Sequence, residues 1–267
     1  MAAALEFDRV SVVFPPRERG DAPWRAIAHT SLSVEAGEFV SVVGPTGCGK
    51  STLLNLAAGL LHPTEGEVRV FGEMLTGLNR RAGYMFQADA LLPWRTALEN
   101  VLFGLELRGV PRAEANERGR YWLAKVGLAH AVERYPHQLS GGMKKRVAMA
   151  QTLIVEPDIL LMDEPFSALD VQTRQLMENE LLALWQAERR SVLFITHDLE
   201  EAIALSDRVV VLSAGPDTHP IGEFRIELAR PRDVAEIRLT PEFLDVHERI
   251  WAVLRDEVLK GYVQTTT

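Results

Sequence analysis

The chain has 267 residues, of which 47% are hydrophobic, and it carries a formal net charge of −8. This length holds one large or two modest domains with ample core, while the acidic balance argues against broad non-specific binding to nucleic acid, which needs a basic surface. A single cysteine excludes an internal disulfide, no run of about 18 apolar residues predicts a membrane span, and the N-terminus lacks a signal-peptide pattern, so we expect a soluble cytoplasmic protein.

Alternating apolar residues predict strands in the first third of the chain. Residues 5–14 alternate loosely and end at two prolines, and residues 26–34 follow a charged, turn-rich stretch, 17–23, that predicts an exposed loop. Further strands are predicted over residues 39–43, 67–72 and 81–86. Together these predict an antiparallel β layer beside a glycine-rich loop that begins after residue 43.

The glycine-rich loop fits G-x-x-x-x-G-K-[ST] at every fixed position, between an apolar strand and a helix. Glycines permit positive φ and bring backbone N–H groups close to an anion, and the start of the helix adds a positive dipole. Lys50 can reach the β- and γ-phosphates, and the Ser51 hydroxyl can bind Mg²⁺. The predicted nucleotide-binding residues here are Gly44, Pro45, Thr46, Gly47, Cys48, Gly49, Lys50, Ser51 and Thr52.

The second half of the chain alternates between helical and strand patterns. From residue 88 to 157 apolar residues recur at helical spacing, which predicts a helical insertion. Strands are then predicted over residues 159–162, 192–195 and 208–213, with a helix around residues 177–185. This alternation predicts an α/β fold with a mostly parallel sheet. The tail is predicted to be helical, with Leu244, Ile250, Trp251 and Leu254 as its apolar contacts.

Polar residues follow several of the predicted strands. Asp163 and Glu164 close an apolar strand beside the phosphate loop, where Asp163 fits a Mg²⁺ ligand, usually through water, and Glu164 a general base. His197 could touch a γ-phosphate from a neighbouring strand end, and the Gln87 amide could reach Mg²⁺ or water. A histidine at such a position is more often packed or solvated, and the position of Gln87 alone carries little weight.

A second anion site is predicted where a helix begins at residue 140. Ser140 is a favourable N-cap, and Gly141 and Gly142 expose backbone N–H groups beside the positive helix end. Met143, three residues after Ser140, cannot complete a Ser-x-x-Gln capping box. Any N-cap followed by glycines looks similar, so the pattern gains meaning only from its neighbours.

The neighbours are, in order, the phosphate loop, Gln87, Leu-Ser-Gly-Gly-Met at 139–143, Ile-Leu-Leu-Met-Asp-Glu at 159–164, Ser-Ala-Leu-Asp at 167–170, and His197. Over residues 5–216 this order resembles the nucleotide-binding subunit of ATP-binding cassette (ABC) transporters. The resemblance implies a P-loop NTPase core with a mostly parallel sheet, an antiparallel β layer and a helical subdomain insertion.

On this basis we predict a single ABC ATPase domain over residues 1–267. Its RecA-like α/β core with the β layer comprises residues 1–87 and 158–229, and its helical signature subdomain comprises residues 88–157. Residues 230–267 form the C-terminal helical tail.

The resemblance also implies a head-to-tail dimer that hydrolyses ATP with Mg²⁺. Each ATP would lie between one phosphate loop and residues 140–142 of a second copy, with Asp170 near the opposite site. Phe14 is the expected ring against adenine. Trp24 is a second candidate, and a core position for Phe14 is the alternative.

The expected partners are two integral membrane permease subunits and, indirectly, a periplasmic or surface solute-binding protein, with no nucleic acid. The chain would then lie peripherally on the cytoplasmic side of the inner membrane, and residues 86–94 would form a groove for a permease helix. Residues 91–94 and 230–233 resemble importers of the nitrate, sulfonate and taurine type, and Met143 is frequent in that branch. Gln151 stands where the family usually has arginine, so we do not expect any contact that this arginine would make at the surface of the helical subdomain, and the ATP chemistry is unaffected. An exporter subunit and a soluble ABC ATPase are the alternatives.

Overall fold

The computed structural model describes residues 2–16 and 22–265 of the chain. Most of the loop predicted over residues 17–23 falls on residues 17–21, which lie outside this part. Within the described residues, no helix combines the length and apolarity needed to cross a membrane.

Strands and helices follow the predicted order. The strands are β1 (Leu5–Phe14), β2 (Trp24–Val34), β3 (Phe39–Val43), β4 (Glu65–Val70), β5 (Glu73–Met74), β6 (Ala82–Met85), β7 (Ile159–Asp163), β8 (Ser191–Ile195), β9 (Arg208–Leu212) and β10 (Pro220–Arg225). The α-helices are α1 (Lys50–Ala57), α2 (Ala97–Leu107), α3 (Arg112–Lys125), α4 (Gly141–Leu153), α5 (Val171–Glu188), α6 (Leu199–Leu205), α7 (Val234–Ile237) and α8 (Pro241–Thr265).

Two sheets form the centre of the molecule. The first is antiparallel in the order β2-β1-β4-β5, which confirms the predicted β layer. The second has the order β10-β9-β3-β8-β7-β6 and is parallel except for β10, which confirms the predicted α/β fold. The sequence analysis did not predict β5 or β10. Both are edge strands, and β5 has two residues, so neither has a strong apolar pattern.

The parallel sheet is buried on both faces, because alternate side chains of its strands enter two different cores. In β3, Val40 and Val42 face the antiparallel sheet and α1, whereas Phe39 and Val43 join the helical side. This explains why β3, β7 and β8 consist mostly of apolar residues. It also places the ends of these strands at a common, well-supported edge.

The helical insertion belongs to the second core. Helices α2, α3 and α4 pack against one another through residues such as Leu98, Val101 and Trp122, and α4 also packs against β6. Helix α2 begins with a capping box in which Thr96 and Glu99 exchange hydrogen bonds. Helix α4 begins as predicted, with Ser140 as its N-cap.

The predicted contacts of the tail are partly wrong. In α8, Ile250 and Leu254 are buried as predicted, but Leu244 is 54% exposed and Trp251 is 42% exposed. Phe243 is buried in their place. Positions 243, 250 and 254 share one face of a helix with 3.6 residues per turn, whereas 244 and 251 lie about 100° further round. The sequence pattern supported either face, and packing against the sheet selected this one.

Candidate active site

The phosphate loop joins the end of β3 to the start of α1 in a tight turn. Gly47 has φ +79° and Gly49, the N-cap of α1, has φ +99°, a backbone region that favours glycine. A Cβ built on Gly44 would lie 3.0 Å from the Cys48 Sγ atom. The backbone path of the loop therefore favours glycine at these positions.

The loop surrounds a buried ammonium group. The Lys50 Nζ atom donates to the carbonyl oxygens of Gly44 at 2.8 Å and Pro45 at 2.9 Å, and the residue is 6% exposed. Cys48 is 1% exposed, and burial raises the pKa of its thiol. Cys48 thus fills space within the loop, while Lys50 brings positive charge to its mouth. Thr46, Gly47 and Ser51 lie at the exposed surface of the loop.

Two oxygen donors meet beside the loop. The Ser51 hydroxyl donates to the Asp163 Oδ1 atom at 3.1 Å. Asp163 is partly buried at the end of β7, and desolvation raises the pKa of its carboxyl group, with a smaller contribution from neighbouring Glu164. Mg²⁺ prefers oxygen ligands and is often held by one or two carboxylates together with phosphate groups, so this donor pair fits the metal. A divalent cation would favour the ionised carboxylate that burial disfavours.

Two side chains converge on one carboxylate oxygen of Glu164, and a third contacts its backbone. The His197 Nδ1 atom lies 2.9 Å from the Glu164 Oε2 atom, and the Gln87 Nε2 atom lies 3.3 Å from the same oxygen. The Ser167 hydroxyl donates to the backbone oxygen of Glu164 at 3.0 Å. Because an ionised carboxylate only accepts hydrogen bonds, His197 carries its proton on Nδ1 when it donates to this group.

The backbone at Glu164 is constrained. Its φ is +42°, which is uncommon for a residue with a side chain and is typical of positions over-determined by their surroundings. Its N–H group donates to the carbonyl of Ile195 at 2.8 Å, at the end of the neighbouring strand β8. The conformation is therefore fixed by strand pairing, and it directs the carboxylate to the edge of the sheet.

An aromatic cleft lies on the other side of the phosphate loop. Phe14 and Trp24 are paired across β1 and β2, and both line a cleft of about 830 Å³ together with Gly47, Gly49 and Thr52. Phe14 is 37% exposed and Trp24 is 50% exposed. Both candidates for an adenine contact are thus available, and the core position considered for Phe14 is not what is found.

The start of α4 lies apart from this assembly. The Ser140 hydroxyl accepts from the Met143 N–H group, and Ser140 and Gly141 are exposed. A Cβ built on Gly142 would lie 2.7 Å from the Thr173 side chain, whose backbone N–H group donates to Asp170. This hydrogen bond lowers the pKa of the Asp170 carboxyl group. Among the described residues, no hydrogen bond or ion pair joins residues 140–142 to the phosphate loop.

Comparison with known proteins decides the family. The model of the ABC transporter family matches residues 27–167, which is more than half of the chain. The chain belongs to the ABC transporter family.

Curated relatives extend over most of this ABC ATPase. It is 50% identical over 238 residues to an uncharacterized ABC transporter ATP-binding protein of Methanocaldococcus jannaschii, covering 89% of this chain and 87% of that protein. It is 45% identical over 254 residues to the taurine import ATP-binding protein TauB of Chromobacterium violaceum, covering 94% and 95%. The nitrate import ATP-binding protein NrtD of Synechocystis sp. is 44% identical over 235 residues, covering 86% and 88%. The predicted resemblance to this branch is confirmed.

A solved structure is also similar to the ABC ATPase. It is a dimeric, post-hydrolysis state of an ATP-binding cassette bound to ADP and Pi, with a TM-score of 0.73, 32% identity, and coverage of 84% of this chain and all of that one. The predicted fold and ATPase activity are therefore confirmed.

Two residues near the site were not among the predicted ones. Ser167 contacts both Gln87 and Glu164, and the Tyr84 phenol lies against Asp163, where burial and the nearby carboxylate raise its pKa. Ser167 belongs to the Ser-Ala-Leu-Asp motif, so the sequence contained a signal for it. Tyr84 lies on a strand with no distinctive motif.

Proposed function

We propose that this ABC ATPase energises the uptake of a small anion across the inner membrane as one of two copies in an importer. The observation that carries the proposal is the arrangement of Gln87, Asp163, Glu164 and His197 at adjoining strand ends beside the phosphate loop. Backbone N–H groups at the start of α1 and the Lys50 ammonium bind the phosphates. The cleft with Phe14 and Trp24 takes the adenine ring.

In this proposal each polar side chain has a separate chemical task. Ser51, Asp163 and the Gln87 amide hold Mg²⁺, which neutralises charge on the phosphate oxygens when bound. Glu164 accepts a proton from the attacking water. His197 orients the Glu164 carboxylate through Nδ1 and presents its other ring nitrogen toward the phosphate side.

The exposed start of α4 supports a second copy of the chain as partner. A Cβ built on Gly141 would meet no atom within 4 Å, and Gly141 is not among the residues with positive φ. Neither packing nor backbone conformation within one chain therefore requires glycine there. A ligand that approaches the helix start from outside does require it, and an ATP held by a second copy is such a ligand. Ser140, Gly141 and Gly142 complete the partner's site, with Asp170 beside them.

A groove beside Gln87 suits a helix of a membrane permease. Phe86, Ala90, Phe103, Ala148, Gln151 and Val155 are among the residues that line this groove of about 270 Å³ between β6, α2 and α4. It borders the segment 86–94 that the sequence analysis assigned to permease docking. Trp94, which belongs to the same segment, is 71% exposed. Two permease subunits would dock here, with a solute-binding protein acting through them, and the ATPase would lie on the cytoplasmic face of the membrane.

The substrate class follows from the relatives. Proteins 42–45% identical to this chain are named for taurine, nitrate and bicarbonate transport, all of which are small anions or carry an anionic group. We assign the chain to uptake of a solute of this kind, such as a nitrate-, sulfonate- or taurine-like compound. The membrane subunits and the binding protein select the individual solute.

The chemistry is tested with Glu164→Gln. The amide cannot take a proton from water, so phosphate release should fall by about 10²–10⁴-fold, while ATP binding persists and ATP traps a dimer visible by size-exclusion chromatography. Glu117→Gln, an exposed glutamate on α3, is the matched control and should behave like the wild type. Normal turnover by Glu164→Gln would remove Glu164 from the role of base.

The transport role is tested by purification from membranes. We expect an integral membrane subunit to co-purify and a loaded binding protein to stimulate ATP hydrolysis. Association with ribosomes or DNA in the absence of any membrane subunit would contradict the importer assignment.

A further inference from the structure

A buried lysine joins the signature helix to the segment that carries Gln87. Lys145 lies in the second turn of α4 and is 2% exposed. Its Nζ atom donates to the backbone carbonyl of Gln87 at 2.5 Å and lies 3.4 Å from the Asp89 Oδ1 atom. Both named partners of this ammonium therefore belong to the segment that follows β6.

A lysine at this buried position is energetically unfavourable compared with an apolar side chain. Burial of an ammonium group costs free energy unless the charge is paired and hydrogen-bonded, and an apolar side chain such as methionine fills a similar volume. What the lysine adds is a charge-assisted hydrogen bond, which is stronger and more directional than a neutral one. This bond fixes the backbone position of Gln87 relative to α4.

The other end of the same segment is fixed independently. Asn100, fully buried on α2, accepts from the Leu92 N–H group at 2.7 Å and donates to the Leu92 carbonyl at 3.2 Å. The segment 87–92 is thus held at its start by α4 and at its end by α2. The Gln87 side chain remains directed toward Glu164.

We propose that Lys145 is a positioning residue that couples the two ATP sites of the dimer. This inference rests on the proposed function, in which Gln87 serves the site of its own chain and residues 140–142 of the same chain complete the site of the other copy. Lys145 lies five residues after Ser140 in one continuous helix, about 7.5 Å along its axis. A displacement of Gln87 by ligand binding therefore moves the start of α4 through one hydrogen bond, and the reverse also holds because coupling between sites is reciprocal.

The test compares Lys145→Met with the wild type in two measurements. The first is amide hydrogen exchange of residues 87–92 without nucleotide. Loss of a hydrogen bond from a charged donor should accelerate it by roughly tenfold. The second is the dependence of hydrolysis on ATP concentration. A Hill coefficient that approaches about two in the wild type, the limit for two sites, should fall toward one in the variant.

Two further variants distinguish a specific loss of coupling between the ATP sites from a general loss of stability in the helical subdomain. Lys145→Gln retains an N–H donor for the Gln87 carbonyl and should restore part of the cooperativity. Lys125→Met is the matched control, since it makes the same substitution and breaks the ion pair of Lys125 with Glu188 between α3 and α5. This control should leave both the exchange of residues 87–92 and the Hill coefficient as in the wild type.

The outcomes distinguish this inference from the proposed function. Unchanged exchange in Lys145→Met, or faster exchange with an unchanged Hill coefficient, would overturn the coupling role. A wild-type Hill coefficient of one would overturn it as well. A wild-type protein that does not hydrolyse ATP would instead contradict the proposed function, and the exchange measurement would still test the contact.

Discussion

The edge of the site formed by the ends of β6, β7 and β8, here called the strand-end edge, differs from the start of α4. The difference is how completely the side chains of one chain pair with one another. At the edge, Glu164 is contacted by His197 and Gln87, and Asp163 by Ser51. At the start of α4, the Ser140 side chain makes only its N-cap hydrogen bond among the described residues, and Gly141 is exposed. One region is assembled by the chain for itself. The other presents N–H donors that the described part of the chain does not use.

Two glycines make the same contrast at the level of single residues. A Cβ on Gly47 or on Gly141 would meet nothing within 4 Å. Gly47, however, has φ +79°, so its backbone conformation requires glycine. Gly141 begins an ordinary helix, where glycine is a poor choice. The reason for Gly47 is therefore internal, whereas neither the packing nor the backbone conformation of the described residues gives a reason for Gly141.

The largest effect in this comparison is expected from Gly141→Ala. The added methyl group meets nothing in the chain, so the free energy of unfolding should stay unchanged or rise by up to about 1 kcal/mol. ATP hydrolysis should fall by about 10²-fold, because the methyl group would displace a ligand shared across the dimer. Thermal unfolding and phosphate release measure the two effects.

Gly47→Ala provides the contrast, since the positive φ strains the loop and ATP binding should weaken even to the isolated chain. If Gly141→Ala hydrolyses ATP at the wild-type rate, the start of α4 does not contact nucleotide.

A smaller effect is expected from Gln151→Arg, which tests the groove beside the strand-end edge. The longer, charged side chain would occupy part of the 270 Å³ groove, so the ratio of permease-stimulated to free ATPase activity should fall about fivefold, equivalent to about 1 kcal/mol of docking free energy. Gln186→Arg on α5, outside this groove, is the control and should keep the ratio. An equal loss in both variants would argue against docking at the groove.

The smallest effect is expected at Glu201, whose hydrogen-bond donor Thr196 directly precedes His197. Glu201 is 4% exposed and accepts a hydrogen bond from Thr196, and burial raises the pKa of its carboxyl group from 4.5 to about 8. Between these two values the folded chain holds a proton that the unfolded chain has lost. The free energy of unfolding should therefore fall as the pH rises from about 4.5 to about 8.

Glu201→Gln is neutral at every pH and should lack this decline. Its advantage in Tm over the wild type should grow between about pH 5 and about pH 8.5 by at least roughly 2–4 °C, which corresponds to about 1 kcal/mol in a chain of this size. Glu200→Gln, at the exposed neighbouring position, should show no such growth. A constant Tm difference across this range would mean that Glu201 is ionised in the folded chain.

Sequence reasoning was most successful where the physical cause is local. Strand bounds were predicted to within two residues for the apolar strands, because alternation and continuous apolar runs depend on near neighbours. The phosphate loop was recognisable for the same reason, because the local backbone conformation requires glycine at Gly47 and Gly49. The edge strand β10 was missed, and the buried face of α8 was only partly predicted, because both depend on partners that are distant in the sequence.

The sequence by itself determined the ligand class, the order of strands and helices, and the family, because these rest on local backbone geometry and ordered motifs. Only the tertiary structure decided that His197 and Gln87 meet on one oxygen of Glu164, and that Lys145 holds the Gln87 backbone. These contacts join residues from 33 to 77 positions apart. Such distances close only when strand pairing and helix packing bring separate segments to the same edge, and no local pattern specifies that.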